Sequence, residues 1–275
     1  MSIAPELLAC ARRIAKVAVP PRVRALHRPP YGADGKRSAF CAIELEGGWF
    51  GLAYVSLGDT RSRIDAIAAD ALAGCDVLDL VAGCASEDVA ARALGIAALN
   101  ALSAWFFDRA GFVPPDAQGV LPGIAPAPDE HVGMVGLFEP LVEPVLARDA
   151  SLTVVELDAS LAGERPGWRI TLDPEALRDC DTVICTSTTL LNHTLESVLA
   201  RCARAREFAL LGPGAGCVPD VLFAHGVTRI AGSRVTDGSA LVDALSSGQS
   251  WGRHARKFDL ARVDYPGLDA LLERL

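Results

Sequence analysis

The sequence predicts an α/β protein: an α+β first half followed by a Rossmann-like domain built on a parallel sheet. Three observations carry that prediction. The first half reads as a helix, a hairpin and further helices. A proline-dense stretch follows it. The second half then alternates short apolar runs with helical segments, the pattern of a parallel sheet covered on both faces. The expected divisions are 1–110 for the α+β domain, 111–130 for a linker, 131–260 for the parallel-sheet domain and 261–275 for a C-terminal tail or helix.

The first segment, residues 1–19, has neither the apolar core of a secretory leader nor a cleavage-like site after one. It reads instead as an amphipathic helix, with Leu7, Leu8, Ala11, Ile14 and Ala15 at helical spacing. Residues 38–45 and 49–57 are strand-like and joined by Glu46-Gly47-Gly48, whose glycines supply positive φ for a turn. Asp59 or Thr60 then caps a helix running through Ile64 to Leu72 and closed by Gly74. A second helix is expected from near Ser86 to about Phe107, rich in Ala and Gly that permit close approach. This is the most apolar stretch of the chain. Arg92 and Asn100 interrupt it, so a buried helix fits it better than a membrane span.

Between Gly111 and Asp129, the runs Val113-Pro114-Pro115, Leu121-Pro122-Gly123 and Ala125-Pro126-Ala127-Pro128 can continue neither a helix nor a central strand. Beyond them, strands are expected at 131–138, 152–157, 182–186, 208–211 and 227–231. Helical segments are expected around 141–147, 173–178, 192–203, 219–225 and 240–246. Asp173-Pro174-Glu175 is a helix start with a capping acid and proline at the first position.

In a parallel sheet, all five strands end on one edge, where helix N-termini and free N–H groups converge and open α/β sheets bind ligands. The residues expected there are Gly136 and Glu139 after the first strand and Asp158 after the second. Thr186, Ser187 and Thr188 follow the third, with Asn192, His193 and Thr194 opening the next helix. Gly212, Pro213, Gly214 and Gly216 follow the fourth, and Gly232, Ser233 and Arg234 the fifth. Each cluster has a plain alternative as a turn or cap. Their coincidence on one edge favours a ligand site.

A dinucleotide fingerprint is only half present. Asp158 lies where a ribose-binding acid would, but Gly133 and Gly136 lead into Phe138 and Glu139 instead of a small-residue phosphate loop. An NAD-type cofactor is therefore not expected. No GxSxG elbow accompanies Ser187. Cys84 and Cys217 are loop thiols, reactive only where a helix N-terminus lowers their pKa, and buried structural thiols otherwise. His27, His225 and His254 lack acidic or cysteine partners at ligand spacing, and His131 is expected in a surface loop. The eight cysteines form no CxxC pair, so neither a disulfide framework nor a zinc site is expected from their spacing.

The net charge of −8 disfavours nucleic acid as a partner. Arg201, Arg204 and Arg206 are read as cations at a helix C-terminus. With no membrane span expected, a cytoplasmic protein is anticipated; a homodimer is left open.

The segments 132–142 (VGMVGLFEPLV), 185–196 (CTSTTLLNHTLE), 210–216 (LLGPGAG) and 226–237 (GVTRIAGSRVTD) resemble the family described as "putative heavy-metal chelation" domains. The hairpin, Gly58-Asp59-Thr60 and the helix at 92–101 (RALGIAALNA) resemble its companion domain, which is similar to the N-terminal capping domain of enolases. The resemblance implies an enolase-like cap ahead of a Rossmann-like domain, with a site in the cleft between them, to which Asp59, Thr60 and Asn100 would contribute. It also implies a role connected with metal chelators.

Three readings of function follow. The first is a small-molecule protein or enzyme of chelator metabolism, in which Glu139 and Asp158 orient an amine or, if desolvated, act as general bases. The second is a non-catalytic binder of a divalent metal or metal chelate through Glu139, Asp158, His193 and Cys185. The third is a nucleotide- or cofactor-dependent enzyme with a modified phosphate loop.

Overall fold

The computed structural model of the protein describes residues 2–30, 39–68, 70–121 and 123–275. Ser38 and Pro122, read above as part of the hairpin and of the proline-rich stretch, lie outside them.

Helix α1 (Ile3–Val17) buries Ile3, Leu7, Cys10, Ala11 and Ile14, the stripe that a 3.6-residue period lays along one face. Strands β1 (Val23–His27), β2 (Phe40–Leu45) and β3 (Trp49–Tyr54) form an antiparallel sheet in that order. Gly47 and Gly48 turn β2 into β3 at φ of 98° and 95°. β1 was not anticipated, because its charged and polar residues break the apolar pattern.

Helix α2 (Thr60–Asp65) ends at Asp65 instead of running to Leu72, and turns carry the chain on to Gly74. It buries only Thr60 and Ile64, too little packing to sustain a longer helix. Asp59 makes no capping bond. Helix α3 (Val77–Val81) leads to α4 (Val89–Arg109), which is capped by Asp88: its carboxylate accepts from the N–H groups of Ala90 and Ala91 at 2.9 and 3.0 Å. α4 is long and apolar enough to cross a membrane, and most of it is buried within the protein. A Cβ at Gly51 of β3 would lie 2.1 Å from the Ala97 carbonyl oxygen and 2.2 Å from the Ala101 nitrogen. The strand therefore crosses the helix in backbone contact, which only glycine permits.

The second half is one mixed sheet. Its strands are β4 (His131–Val135), β5 (Ser151–Val155), β6 (Gly163–Arg165), β7 (Trp168–Thr171), β8 (Thr182–Thr186), β9 (Glu207–Leu211), β10 (Arg229–Val235) and β11 (Ala255–Ala261). Their order is β11-β10-β9-β8-β4-β5-β7-β6. Pairing is parallel from β10 to β7 and antiparallel at the two outer pairs. The five expected strands are all present, and β6, β7 and β11 extend the sheet beyond them. The carboxyl ends of β4, β5, β8, β9 and β10 share one edge, as expected. Helices α5 (Glu139–Leu146), α6 (Leu195–Arg201), α7 (Asp220–Ala224), α8 (Gly238–Ser246) and α9 (Leu268–Leu272) connect or flank the strands. Residues 173–178 make only a 3-10 turn, Pro174–Leu177, with Asp173 capping it through the Glu175 N–H at 2.9 Å.

Successive side chains of β9 point to opposite faces. Phe208 and Leu210 join α1, α4 and the face of the first sheet formed by Cys41, Ile43 and Leu45 in one continuous core. Ala209 and Leu211 join Leu141 and Val145 of α5 in a second. A third cluster sets Leu241, Ala244 and Leu245 of α8, with Trp251, against Phe50 and Leu52 of β3. The first sheet is thus clasped on both faces, one by α4 and one by α8. The proline-rich stretch also docks. Ala117 N–H donates to the Lys257 carbonyl, and Asp259 N–H to the Pro115 carbonyl, both at 2.9 Å, while Ile124 is buried. This covers the outer edge of β11, which would otherwise expose unpaired backbone groups.

Candidate functional site

The sheet reverses direction of growth between β4 and β8, the position at which open α/β sheets hold ligands. Here that crevice is closed from within. A Cβ at Gly136 (φ 80°) would lie 3.0 Å from Thr186 Cγ2, so the two loops touch. The N–H groups of Leu137 and Leu157 both donate to the Glu156 carboxylate, at 2.5 and 3.0 Å, and Phe138 N–H approaches Met134 Sδ at 3.3 Å. The donors that a pyrophosphate would need after β4 are therefore engaged by the protein itself.

The hydroxyls after β8 are also turned inward. Thr186 Oγ1 contacts Thr188 Oγ1 at 3.1 Å, and Thr189 Oγ1 donates to the Thr186 carbonyl at 2.7 Å. Asn192 Oδ1 accepts from the N–H and the hydroxyl of Thr194, at 3.2 and 2.6 Å, forming a local turn. His193, at φ 55°, places Nε2 3.0 Å from the Cys84 carbonyl and fastens the two halves together. The recess beside it, lined by Cys84, Thr189 and His193, has room for only about 10 Å³, the limit for one water. Ser187 is buried beneath the glycine loop after β9, where a Cβ at Gly212 or Gly214 would lie 2.5 or 3.1 Å from its Oγ.

Open space lies farther along the edge, towards β10 and β11. One cavity of about 270 Å³ sits between the two halves of the chain. Trp49, Phe50, Asn100 and Asp108 line it from the first half, and Gly216, Ser233, Arg234 and Phe258 from the second. A second, of about 210 Å³, is lined by Phe138, Pro140, Leu211, Gly212, Pro213 and Gly232. Ser233 and Phe258 line both. A Cβ at Gly232 would fall 2.6 Å from both the Ala215 carbonyl oxygen and Phe258 Cζ, so the glycine is what lets that ring stand between the two spaces.

Two residues that line the first cavity each carry a buried polar atom without a partner among the described residues. Asn100 is 4% exposed, and its Nδ2 donates to the carbonyls of Leu52 and Gly214 at 2.9 and 3.0 Å. Those two acceptors fix the orientation of the amide and leave Oδ1 as an acceptor. Asn100 Oδ1 and Arg234 Nε are the two buried side-chain nitrogen or oxygen atoms without a hydrogen-bond partner among the described residues. Both belong to residues lining this cavity. Native proteins pair nearly all such atoms, with water or a ligand where protein does not suffice.

Of the residues expected to bind, the structure brings Asn100 to the first cavity and Gly212, Pro213 and Gly232 to the second, with Gly214 bonded to Asn100. It does not bring Asp59 or Thr60 to either: Asp59 is exposed at the start of α2, and the buried Thr60 hydroxyl donates to the Leu57 carbonyl. Glu139 and Asp158 are exposed, so the desolvation that a general base would require is absent. The Ser160 hydroxyl and N–H hold the Asp158 carboxyl below the usual range, away from a base role. Burial pushes the Cys84 and Cys185 thiols up to about 12 and Cys217 higher still, so none is a ready thiolate.

Several other residues are corrected. His131 opens β4 with Nε2 2.9 Å from Thr153 Oγ1, and is not in a loop. His27 and His225 gain acidic partners from distant elements, Glu44 at 2.7 Å and Glu6 at 3.0 Å. Arg201 stands in the last turn of α6, as expected, while Arg204 and Arg206 lie beyond it; the three pair with Glu175, Asp179 and Glu130.

Asp108 and Phe258 line the cavity without being marked by the sequence, whereas Arg234 is expected on the binding edge after the fifth strand. Phe258 belongs to a strand that was not anticipated. Among the described residues, no group of three His, Cys, Asp or Glu side chains is placed to hold a metal ion. Glu139, Asp158, His193 and Cys185 in particular are spent separately.

Comparison with known proteins agrees with this architecture. The model of the DUF364 family, described as "Putative heavy-metal chelation", matches residues 124–264, just over half of the 275 residues. The DUF4213 model, with the same description, matches residues 38–103. An uncharacterized protein of Methanocaldococcus jannaschii is 29% identical over 153 residues, 55% of this chain and 58% of that protein. The chain thus spans a little over half the length of that relative. A DUF364-family protein of unknown function from Pyrococcus horikoshii superposes with a TM-score of 0.67 at 19% identity, covering 93% of this chain and 99% of the other. Another, from Desulfitobacterium hafniense DCB-2, gives 0.69 at 19% identity, covering 94% and 98%. At that identity the two structures speak to the fold alone. By the extent of the family match, this chain belongs to the DUF364 family.

Proposed function

We propose that the protein binds a small organic molecule in the cavity between α4–β3 and β10–β11, as a member of a chelator-related pathway. The observation that carries this reading is a space of about 270 Å³ between the two halves of the chain, lined by the oppositely charged side chains of Asp108 and Arg234 beside Trp49, Phe50 and Phe258. Aromatic side chains set beside charged and polar ones suit a ligand pocket, the apolar groups supplying affinity and the polar groups orientation. The family description speaks of heavy-metal chelation. With no group of three ligating side chains for a bare ion among the described residues, an organic molecule that itself belongs to chelator metabolism is the reading that fits both.

Mass spectrometry of small molecules released on denaturing the purified protein tests this. Ala104 lines the cavity one helical turn beyond Asn100, and Ala104→Phe would fill it. A near-stoichiometric organic compound from the parent protein and little from the variant is the expected result. Equal release from both, or none from the parent together with no thermal shift across a metabolite library, would overturn it.

A further inference from the structure

We infer that the other cavity, across Phe258 from the first, is a second binding site that takes a small apolar carboxylate. Three segments enclose its volume of about 210 Å³. The floor is sheet, where Leu211 of β9 and Ala231 of β10 stand side by side. One wall is the start of α5, with Phe138, Pro140 and Leu141. The other is the docked proline-rich stretch, with Ala117 and Val120. Val120 is 60% exposed, so part of this apolar wall stands open to solvent.

Lys257 is the one charged side chain lining this space among the described residues. It stands directly opposite Ser233, which also lines it, in the antiparallel register of β10 and β11. Residues paired in this way project from the same face of a sheet with Cβ atoms about 4.5–5.5 Å apart, so the ammonium and the hydroxyl serve one end of the space. Their neighbours on β11 are already engaged: Arg256 pairs with Asp116 and Asp259 with Arg229. Among the described residues, the Lys257 ammonium and the Ser233 hydroxyl have no hydrogen-bond or ion-pair partner. Lys257 is exposed and Ser233 half-buried, so both remain within reach of a ligand.

An apolar enclosure with a cation at one end suits a ligand whose apolar part is buried and whose negative charge meets the cation. A carboxylate only accepts, and the ammonium and hydroxyl can both donate to it. A phosphate carries more charge and needs more donors, and the nearby Leu137 and Leu157 N–H groups are held by Glu156. An amine would meet like charge.

Isothermal titration calorimetry on the whole protein at low ionic strength tests this, with phenylacetate, 3-phenylpropionate and hexanoate as probes. The corresponding amides keep the shape and lose the charge, and inorganic phosphate supplies the charge without the apolar part. At least one acid is expected to bind about fivefold or more tighter than its amide. In Lys257→Met that advantage should disappear while the amide binds as before. Lys257 is exposed, so the variant should stay folded, which a melting curve verifies. Ala104→Phe, which fills the first cavity, should leave the acid's affinity unchanged. Amides that bind as well as the acids, or an advantage that survives in Lys257→Met, would overturn the inference. So would tighter binding of phosphate, or no binding by any of the three acids at about 10 mM. Acid binding lost in Ala104→Phe would place the ligand in the first cavity and overturn it too.

Discussion

Asn100 Nδ2 lies 3.0 Å from the carbonyl oxygen of Gly214, joining the middle of α4 to the loop that follows β9. The same nitrogen holds the Leu52 carbonyl at 2.9 Å, so one amide ties together the helix, the first sheet and the strand edge of the second. Asn100→Ala would leave two carbonyls unpaired. An expected loss of about 2–4 kcal/mol in urea unfolding follows from the cost of stranded buried polar groups. A loss below about 0.5 kcal/mol would show that water replaces the amide without penalty.

The backbone contact between β3 and α4 gives a contrast within a single strand and its turn. A Cβ at Gly51 would collide with the backbone of Ala97 and Ala101, whereas one at Gly48 meets nothing within 4 Å. Gly51→Ala is expected to cost more than about 3 kcal/mol, because backbone cannot move aside as a side chain does. Gly48→Ala should cost about 1 kcal/mol, for its φ of 95° alone. Chemical denaturation of the two variants in parallel checks the order; equal effects would argue against the close crossing.

Burial raises the thiols of Cys10, Cys41, Cys84, Cys180, Cys185 and Cys202 from 9.0 to about 12. In the unfolded chain these groups lose protons near their ordinary value, while the folded protein keeps them. Above about pH 9 the unfolded state therefore binds fewer protons, and stability must fall as pH rises towards 12. Urea midpoints at constant ionic strength should decline steadily between about pH 8.5 and 10.5, and a flat profile would contradict the assignment. Cys75 is the half-exposed member of the eight. A thiol reagent at about pH 8 should label it fast and the other seven only on unfolding.

Gly232 and Phe258 control the partition between the two cavities. Gly232→Ala would drive a methyl into the Phe258 ring and the Ala215 carbonyl, costing about 1–3 kcal/mol and displacing the ring. Small-molecule release should fall in this variant as it does in Ala104→Phe. Full release from a folded Gly232→Ala protein would place the ligand away from Phe258.

The five parallel strands could be read from the sequence because each is a short continuous apolar run, the mark of a strand buried on both faces. β11 was missed because Arg256, Lys257 and Asp259 interrupt its apolar residues. The structure shows Phe258 and Leu260 facing inward at a period of two, next to a covered edge. β6 and β7 are short and carry charges, and the helical spacing beyond Asp65 is not used, although Ile67 and Leu72 still pack against the core. Asn100 stood out as an amide in an Ala-rich helix. Nothing in the local pattern shows that Arg234, Asp108 and Phe258, from three separate elements, converge on the same space. Likewise, Asn192 and His193 have ligand-like side chains, and only tertiary contact shows one folded onto Thr194 and the other bonded to the Cys84 carbonyl.

Electron density in the cavity, from crystals of the protein as purified, tests the central claim most directly. The account predicts a continuous organic feature in that space, within reach of the Asp108 and Arg234 side chains. Separate waters alone in that space would contradict it.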